Sequence, residues 1–173
     1  NFAPSDDEQA LTKAFDDLAA GAFDWVTLTS ATTVDVLYAY RAVIPASTRV
    51  AAVGETTAAA ASAVGYRVDL VPDEENSAAR LAEMILELEP EPRDILTLRS
   101  ELAKAIITPA LIDAGHRVRS VVAYRTVGVP VTDRIAHDVE TGRITAILVT
   151  SGSVAEQVYA QFENIPEGTL IAA

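Results

Sequence analysis

Phe23-Asp-Trp-Val-Thr-Leu-Thr-Ser30 is the stretch that decides the fold, because it leads directly from a strand into a helix. The run over 25–29 is apolar and β-branched, which indicates a strand that is buried on both faces. Ser30 follows at once, and serine is one of the residues preferred at a helix N-cap. The stretch therefore predicts the first half of a strand–helix–strand unit.

The same alternation of short β-branched runs and longer helical patterns continues on both sides of this stretch. The predicted strands lie at 25–29, 49–53, 67–71, 94–98 and 117–124, and the predicted helices at 7–20, 33–42, 56–64, 77–88 and 101–114. Parallel strands need crossover connections, and these place helices on the two faces of the sheet. The pattern therefore predicts an α/β fold with a parallel sheet.

Residues 144–173 repeat residues 23–52 at a constant offset of 121, with nine identities in 30 positions. The pairs Thr29/Thr150 and Ser30/Ser151 lie at the same strand end in both copies. Two unrelated units would share about two identities by chance, so a tandem of similar α/β units is favoured. Between the copies, the proline-bearing stretch 126–132 is typical of a connection between domains.

Composition and charge exclude several classes of function. Thirteen Lys and Arg face 25 Asp and Glu, and the net charge of −12 disfavours binding to nucleic acid or to an anionic membrane surface. No uncharged apolar stretch is long enough to span a membrane, and no secretory signal pattern opens the chain. Without cysteine there is neither a disulfide nor a thiolate metal site, so we expect a cytoplasmic protein.

Hydroxyl and glycine residues stand where predicted strands give way to helices. The carboxyl ends of parallel strands face the ligand crevice, and helix N-termini there attract carboxylates or phosphates. The residues in such positions are Thr29, Ser30, Gly54, Thr57, Thr150 and Ser151. Serine and threonine before helices are often plain caps, so both interpretations stay open. Tyr124 ends the fifth strand, where its phenol either donates a proton into the crevice or packs over a helix.

The two histidines give no sign of a metal centre. His116 and His137 have no second histidine or carboxylate at ligand spacing, so we expect both to face solvent and predict no metal. The glycine-rich motifs that hold nucleotide phosphates are also absent from the sequence.

A series of short motifs occurs in a fixed order along the chain. The motifs are Thr29-Ser30 after Asp24-Trp25, Val53-Gly54-x-x-Thr57-Ala58, Ser77-x-x-x-Leu81-Ala82, Ile95-Leu-Thr-Leu-Arg99-Ser100, Leu111-x-x-x-Gly115-x-x-Val118, Val122-Ala-Tyr124-Arg-Thr126, and a second Thr150-Ser151 with an Ile165-Pro166 turn. In this order and with these gaps, the chain resembles the uroporphyrinogen-III synthase family over nearly its whole length.

The resemblance implies two α/β domains of similar build, joined by extended connections, with the substrate in the cleft between them. It implies that residues 1–125 are a complete α/β domain, 126–131 the interdomain connection and 132–173 a partial second domain. On this mapping we expect the chain to be a fragment that is inactive alone, and the full-length protein to be a monomer.

The resemblance also implies a reaction that needs no cofactor. Linear hydroxymethylbilane loses its ring-A hydroxyl to give an azafulvene, and closure through a spiro intermediate inverts ring D to give uroporphyrinogen III. The substrate carries eight carboxylates, and by position the six hydroxyl and glycine residues named above would bind them. Tyr124 would be the acid that assists departure of the hydroxyl. Arg99-Ser100 stands where many relatives have Arg-Gly, which argues against a direct role for Arg99. The alternative is a non-catalytic, regulatory domain of the same fold that senses a tetrapyrrole or another anion.

Overall fold

The computed structural model describes residues 2–72, 77–103 and 106–172. They fall into two compact units, one over Phe2–Thr126 and the other beginning at Val127. The strands are β1 Phe2–Pro4, β2 Trp25–Leu28, β3 Arg49–Ala52, β4 Asp94–Ser100, β5 Arg117–Thr126, β6 Ala146–Leu148 and β7 Leu170–Ala172. The helices are α1 Glu8–Ala19, α2 Ala31–Ala39, α3 Glu55–Ala63, α4 Ala78–Leu88, α5 Ile107–Asp113, α6 Asp133–Glu140 and α7 Gly152–Gln161.

The first unit is built on a five-stranded sheet with the order β1-β5-β4-β2-β3. The strands β2, β3, β4 and β5 pair in parallel, which confirms the predicted α/β class. One edge strand departs from the predicted parallel arrangement, because β1 pairs antiparallel with β5. The sheet is therefore mixed but mostly parallel.

Helices cover both faces of this sheet, as the buried strands require. One core cluster joins α1, α2 and α3 to the sheet, and the other joins α4 and α5 to the opposite face. The first cluster includes Leu11, Leu18, Val26, Leu37, Ala61 and Leu96; the second includes Trp25, Leu81, Ile85, Ile95 and Leu111. Alternate residues of β2 and β4 thus enter opposite cores, which explains why both strands are continuous apolar runs in the sequence.

The second unit contains a two-stranded parallel sheet, β6 with β7, and the helices α6 and α7. Its strand pairing repeats that of β2 with β3: Ala146 lies opposite Leu170, as Trp25 lies opposite Arg49. Both pairs obey the offset of 121 found in the sequence.

A side-chain hydrogen bond is repeated as well. The Thr48 hydroxyl donates to the Phe23 carbonyl at 2.7 Å, and the Thr169 hydroxyl donates to the Ile144 carbonyl at 3.3 Å. The two units therefore share both a strand register and a side-chain hydrogen bond.

One predicted strand of the first unit is absent, and one predicted helix begins later than expected. No strand forms over 67–71, where a single bridge joins Leu70 to Ala51. The Val50 N–H donates to the Asp69 carboxylate at 2.9 Å, so a side chain replaces the backbone acceptor that a ladder would need. The helix predicted over 101–114 begins only at Ile107, and residues 104–105 lie outside the described residues. Pro109 lies in the first turn of α5, where a missing N–H costs nothing.

Two further elements were not predicted. The helix α6 follows the proline-bearing stretch, and its N-cap Thr132 accepts the Ile135 N–H at 3.4 Å. The strand β1 has only three residues. No helix in the described part of the chain is both long and apolar enough to cross a membrane.

Candidate functional site

The strand order places a topological switch point between β2 and β4. From β2 the chain moves outward to β3, and it then returns to the other side of β2 to form β4. In open α/β sheets, ligands bind beyond the carboxyl ends of the strands at such a point. The carboxyl ends of β2, β3, β4 and β5, which we call the carboxyl edge, therefore form the candidate site.

Thr29 connects the two strands that flank the switch point. Its hydroxyl donates to the Leu98 carbonyl at 3.3 Å, which joins the end of β2 to the end of β4. A hydroxyl has one proton to donate, so this contact leaves Thr29 only as an acceptor in the observed conformation. Its side chain therefore orders the edge rather than offering a proton to an anion.

Ser30 is the N-cap of α2, as its position in the sequence predicts. Its Oγ accepts the Thr33 N–H at 3.3 Å, and it lies 3.0 Å from the Thr33 hydroxyl. It also lies 3.0 Å from the phenol oxygen of Tyr124, which is 94 residues away along the chain. The sequence-predicted residues Ser30 and Tyr124 are thus in direct contact.

Tyr124 combines a packed ring with a hydroxyl that reaches the carboxyl edge. The residue is 7% exposed, and its ring meets the Phe2 ring edge-on at a centroid distance of 5.2 Å. The antiparallel pairing of β1 with β5 places Phe2 there. The ring is therefore part of the core and the hydroxyl lies at the carboxyl edge, while proton donation by Tyr124 stays a prediction.

Gly54 and Thr57 lie at the start of α3, beside the end of β2. The Val53 N–H donates to the Leu28 carbonyl at 2.9 Å, which ties this turn to β2. Gly54 has φ 81° and ψ 156°, a conformation that favours glycine, and it caps α3 without a side chain. Thr57 is 5% exposed, and the described residues provide no hydrogen-bond partner for its hydroxyl. The first N–H groups of α3 are thus not capped by a side chain, unlike those of α2.

Arg99 is a cation at the end of β4. Its guanidinium donates to the Ser120 hydroxyl at 3.3 Å and to the carbonyls of Ser100 and Glu101 at 3.1 and 3.3 Å. Within the described ranges no carboxylate forms an ion pair with it, whereas Arg125 pairs with Asp6 at 3.2 Å. The Arg99 guanidinium therefore lies beside the switch point without a carboxylate partner among the described residues.

Thr150 and Ser151 belong to the second unit and are exposed. Ser151 caps α7 by accepting the Val154 N–H at 3.3 Å, and its Oγ lies 3.1 Å from the Ser153 hydroxyl. The cap matches that of Ser30 in the first unit.

The opposite, amino edge of the sheet holds a buried carboxylate. Glu89 accepts from Trp25 Nε1 and Arg49 at 3.0 Å each, and from Arg93 at 2.6 Å. Burial alone would raise the pKa of Glu89, but the hydrogen bonds from Trp25 and Arg93 and the nearby arginine charges lower it. These contacts hold the amino ends of β2 and β3 against α4.

His116 also lies at the amino edge, and the expectation that it faces solvent is wrong. It is buried, and its Nδ1 accepts the Arg93 N–H at 3.0 Å. His116 follows the left-handed Gly115 at the end of α5, so the chain turns inward there. His137 is exposed as predicted. No group of three or more His, Asp or Glu able to hold a metal occurs among the described residues.

Thr33 is a site residue that the sequence reasoning missed. It is fully buried, and its hydroxyl joins those of Ser30 and Tyr124 in a chain of three hydroxyl groups. The signal was available, because residue N3 of a helix lies next to the N-cap side chain, as in a capping box.

Comparison with known proteins gives one family and several solved structures. The model of a family described as uroporphyrinogen-III synthase HemD matches residues 1–173. The chain is similar to the crystal structure of uroporphyrinogen-III synthetase from Helicobacter pylori, with 18% identity, a TM-score of 0.68, and coverage of 99% of this chain and 73% of that one.

Two structures from the extremely thermophilic bacterium Thermus thermophilus are also similar. A mutant uroporphyrinogen III synthase has 16% identity and a TM-score of 0.61, with coverage of 94% of this chain and 65% of that one. The wild-type protein has 18% identity and a TM-score of 0.57, with coverage of 94% and 64%. The chain thus spans just under two thirds of the length of the Thermus proteins, and at these identities the likeness shows a shared fold.

Proposed function

The chain belongs to the uroporphyrinogen-III synthase family, and from this premise we propose that its protein cyclises hydroxymethylbilane to uroporphyrinogen III with inversion of ring D. The observation that carries the proposal is the contact between Tyr124 and Ser30 at the switch point. The contact holds the Tyr124 phenol, on a packed ring, where α/β sheets bind their ligands, and this position supports a role as proton donor.

The carboxyl edge also suits a polyanionic substrate, although the chain carries a net charge of −12. Eight carboxylates would be repelled by the bulk charge, so they must be held by local donors. The uncapped N–H groups of α3 near Gly54 and Thr57 are such donors, and the helix dipole adds to their attraction. Arg99 supplies a positive charge that no described carboxylate neutralises. We therefore assign Thr57 and the α3 N-terminus to substrate binding, and we add Arg99 despite the contrary expectation from the sequence.

Thr29 and Ser30 contribute to this site by holding its backbone in place rather than by donating their hydroxyl protons to the substrate. The Thr29 hydroxyl is used by Leu98, and that of Ser30 is surrounded by Thr33 and Tyr124. Their backbone groups form part of the wall of the crevice. We propose that Thr150 and Ser151, in the corresponding position of the second unit, also bind carboxylates of the substrate.

Tyr124 is the acid of the proposed reaction. Its O–H bond breaks as the proton passes to the ring-A hydroxyl, the carbon–oxygen bond breaks, and water leaves. Ring A remains as a protonated azafulvene, with the phenolate as its counter-charge. The proton released when the closed rings regain their aromatic state returns to the phenolate, so the protein ends unchanged. No other group has to enter the reaction, and we propose that it runs without a cofactor.

We also propose that the protein is a cytoplasmic monomer. The alternative, a non-catalytic domain that senses a tetrapyrrole, is not favoured, because the family model that matches residues 1–173 is that of the synthase.

The test is turnover of hydroxymethylbilane by the gene product that carries this chain, with the products separated as isomers III and I. Spontaneous closure gives isomer I, so the ratio of the two isomers reports catalysis directly. We expect isomer III to predominate with active protein and isomer I with heat-denatured protein. Isomer I alone, formed at the spontaneous rate, would contradict the proposed function and favour the sensing domain.

A further inference from the structure

The three hydroxyls of Thr33, Ser30 and Tyr124 form a chain whose direction can be worked out by counting donors and acceptors. A hydroxyl donates one hydrogen bond and accepts two. The Ser30 oxygen already accepts the Thr33 N–H at 3.3 Å, so it has one proton and one acceptor position left for two hydroxyl neighbours. One neighbour must therefore donate to Ser30, and the other must accept from it.

The two possible directions differ in what happens to the phenol proton. If Tyr124 donates to Ser30, its proton is engaged and the Ser30 proton goes to Thr33. If Thr33 donates to Ser30, the Ser30 proton goes to the Tyr124 oxygen, and the phenol proton is left available at the carboxyl edge. Only the second direction leaves Tyr124 able to give a proton to a ligand.

Burial of Thr33 decides between the two directions. Thr33 is fully buried, and within the described part of the chain Ser30 is the partner of its hydroxyl. A buried donor without an acceptor is destabilising. In the first direction the proton of the fully buried Thr33 has no partner; in the second it is donated to Ser30, and the proton left without a protein partner is that of Tyr124, which keeps 7% of its surface exposed. The second direction also points a donor at the phenol oxygen, which would stabilise the phenolate after proton transfer.

We propose that Thr33 is a positioning residue: by donating to Ser30 it orients the hydroxyl chain, keeps the Tyr124 proton available, and so sets the rate of proton donation. The orientation follows from the contacts alone, and its effect on rate rests on the proposed function. Thr33 is not assigned to any substrate contact.

The second unit shows that the Thr33 hydroxyl is not needed for the helix itself. Its repeat counterpart is Val154, where the same serine cap is made to the Val154 N–H at the same distance of 3.3 Å. A helix with this cap thus accepts a β-branched residue that has no hydroxyl. Thr33→Val has nearly the same shape, so the variant is expected to fold.

The test compares Thr33→Val with Thr33→Ser, which restores the hydroxyl. In Thr33→Val, we expect kcat for isomer III formation to fall about threefold to tenfold, the effect of losing one neutral hydrogen bond, with KM within about twofold of the parent. Thr33→Ser should keep kcat within about twofold of the parent. Thr33→Ala, with matched thermal unfolding curves, serves as a second hydroxyl-free variant in case the valine packs poorly.

A second readout does not depend on turnover. Labelling the tyrosines at the ring carbon that bears the hydroxyl gives one NMR signal per tyrosine, five of them from this chain, and the Tyr124 signal is assigned by its loss in Tyr124→Phe. We expect the Tyr124 signal to move downfield in Thr33→Val, because the phenol turns from acceptor to donor towards Ser30, and to stay in place in Thr33→Ser.

The two readouts separate the possible failures. If the parent protein forms only isomer I, the proposed function fails, and the Tyr124 signal still tests the direction of the chain. An unmoved signal in both hydroxyl-free variants would overturn the proposed orientation. A moved signal with unchanged kcat would overturn the role of Thr33 in proton donation.

Discussion

Replacing Tyr124 by phenylalanine removes the proposed acid and little else. The ring is 7% exposed and meets Phe2 edge-on at 5.2 Å, and both features survive without the hydroxyl. The loss is the 3.0 Å contact with Ser30, a neutral hydrogen bond that contributes about 0.5–1.5 kcal/mol to stability. For a protein of this size, a change near 1 kcal/mol lowers the unfolding midpoint by about 2–4 °C.

The effect of Tyr124→Phe on rate should be much larger than its effect on stability. A positioned acid contributes about 100-fold to 10,000-fold, and we expect a loss near the lower end because the ring-A hydroxyl leaves readily. Initial rates of isomer III formation, measured at saturating hydroxymethylbilane, give the loss in kcat.

Tyr66→Phe is the matched control for this variant. The Tyr66 phenol donates to the Ala42 carbonyl at 2.8 Å, away from the carboxyl edge, so its removal also costs one phenol hydrogen bond. The two variants should therefore lose similar stability in urea titrations, while only Tyr124→Phe loses rate. Equal rates for the two variants would refute the assignment of Tyr124 as the acid.

Two further predictions concern the two edges of the sheet. Thr57→Val should weaken binding of uroporphyrinogen III by about 1–2 kcal/mol in calorimetry, because one hydrogen bond to a charged group is lost; equal affinity would reduce Thr57 to an ordinary first-turn residue. Glu89→Ala should lower the free energy of unfolding by about 2 kcal/mol at pH 7, since the buried Trp25 N–H loses its partner while water can hydrate the half-exposed arginines. Because the pKa of Glu89 is lowered from its ordinary value of 4.5, its contribution is present above that pH and is lost as the pH falls below it. In urea titrations, the difference in the free energy of unfolding between the parent and Glu89→Ala should thus be smaller at about pH 4 than at pH 7. An equal difference at both pH values would contradict the role of the ionised carboxylate.

The parallel core was predictable because burial on both faces leaves a local pattern. The β2 residues Trp25–Leu28 and the run 95–98 inside β4 are buried and apolar except for one threonine each, and Ser30 and Ser77 mark the helix starts that the structure shows. The repeat at offset 121 predicted a second strand–helix–strand unit, and the register of β6 with β7 confirms it.

The structural features that the sequence did not predict depend on contacts between residues that are distant along the chain. β1 has three residues and exists through pairing with β5, whose residues are more than 100 positions away. The run over 67–71 has the composition of a strand, but Asp69 uses its side chain where a ladder needs a backbone acceptor. His116 has no ligand spacing that would reveal its role, because its partner is the backbone N–H of Arg93.

The candidate site was predictable as a set of positions but not as a set of contacts. The parallel sheet brings Ser30, Gly54 and Tyr124 to one edge, because each stands at or near the carboxyl end of a strand. The spacing of residues in the sequence could not show which hydroxyls already donate hydrogen bonds within the protein. Thr29 was expected to offer its proton to a carboxylate, and the structure shows that proton donated to Leu98.

The most direct test of the carboxyl edge as the tetrapyrrole site is an anaerobic titration of isotope-labelled protein with uroporphyrinogen III, followed through the backbone amide NMR signals. We expect the signals that move most in the first unit to belong to residues 30–33, 54–57, 99–101 and 124, with those around Glu89 and His116 at the amino edge unchanged. Saturable changes confined to the amino edge, or no change at the carboxyl edge at saturating product, would contradict the central claim.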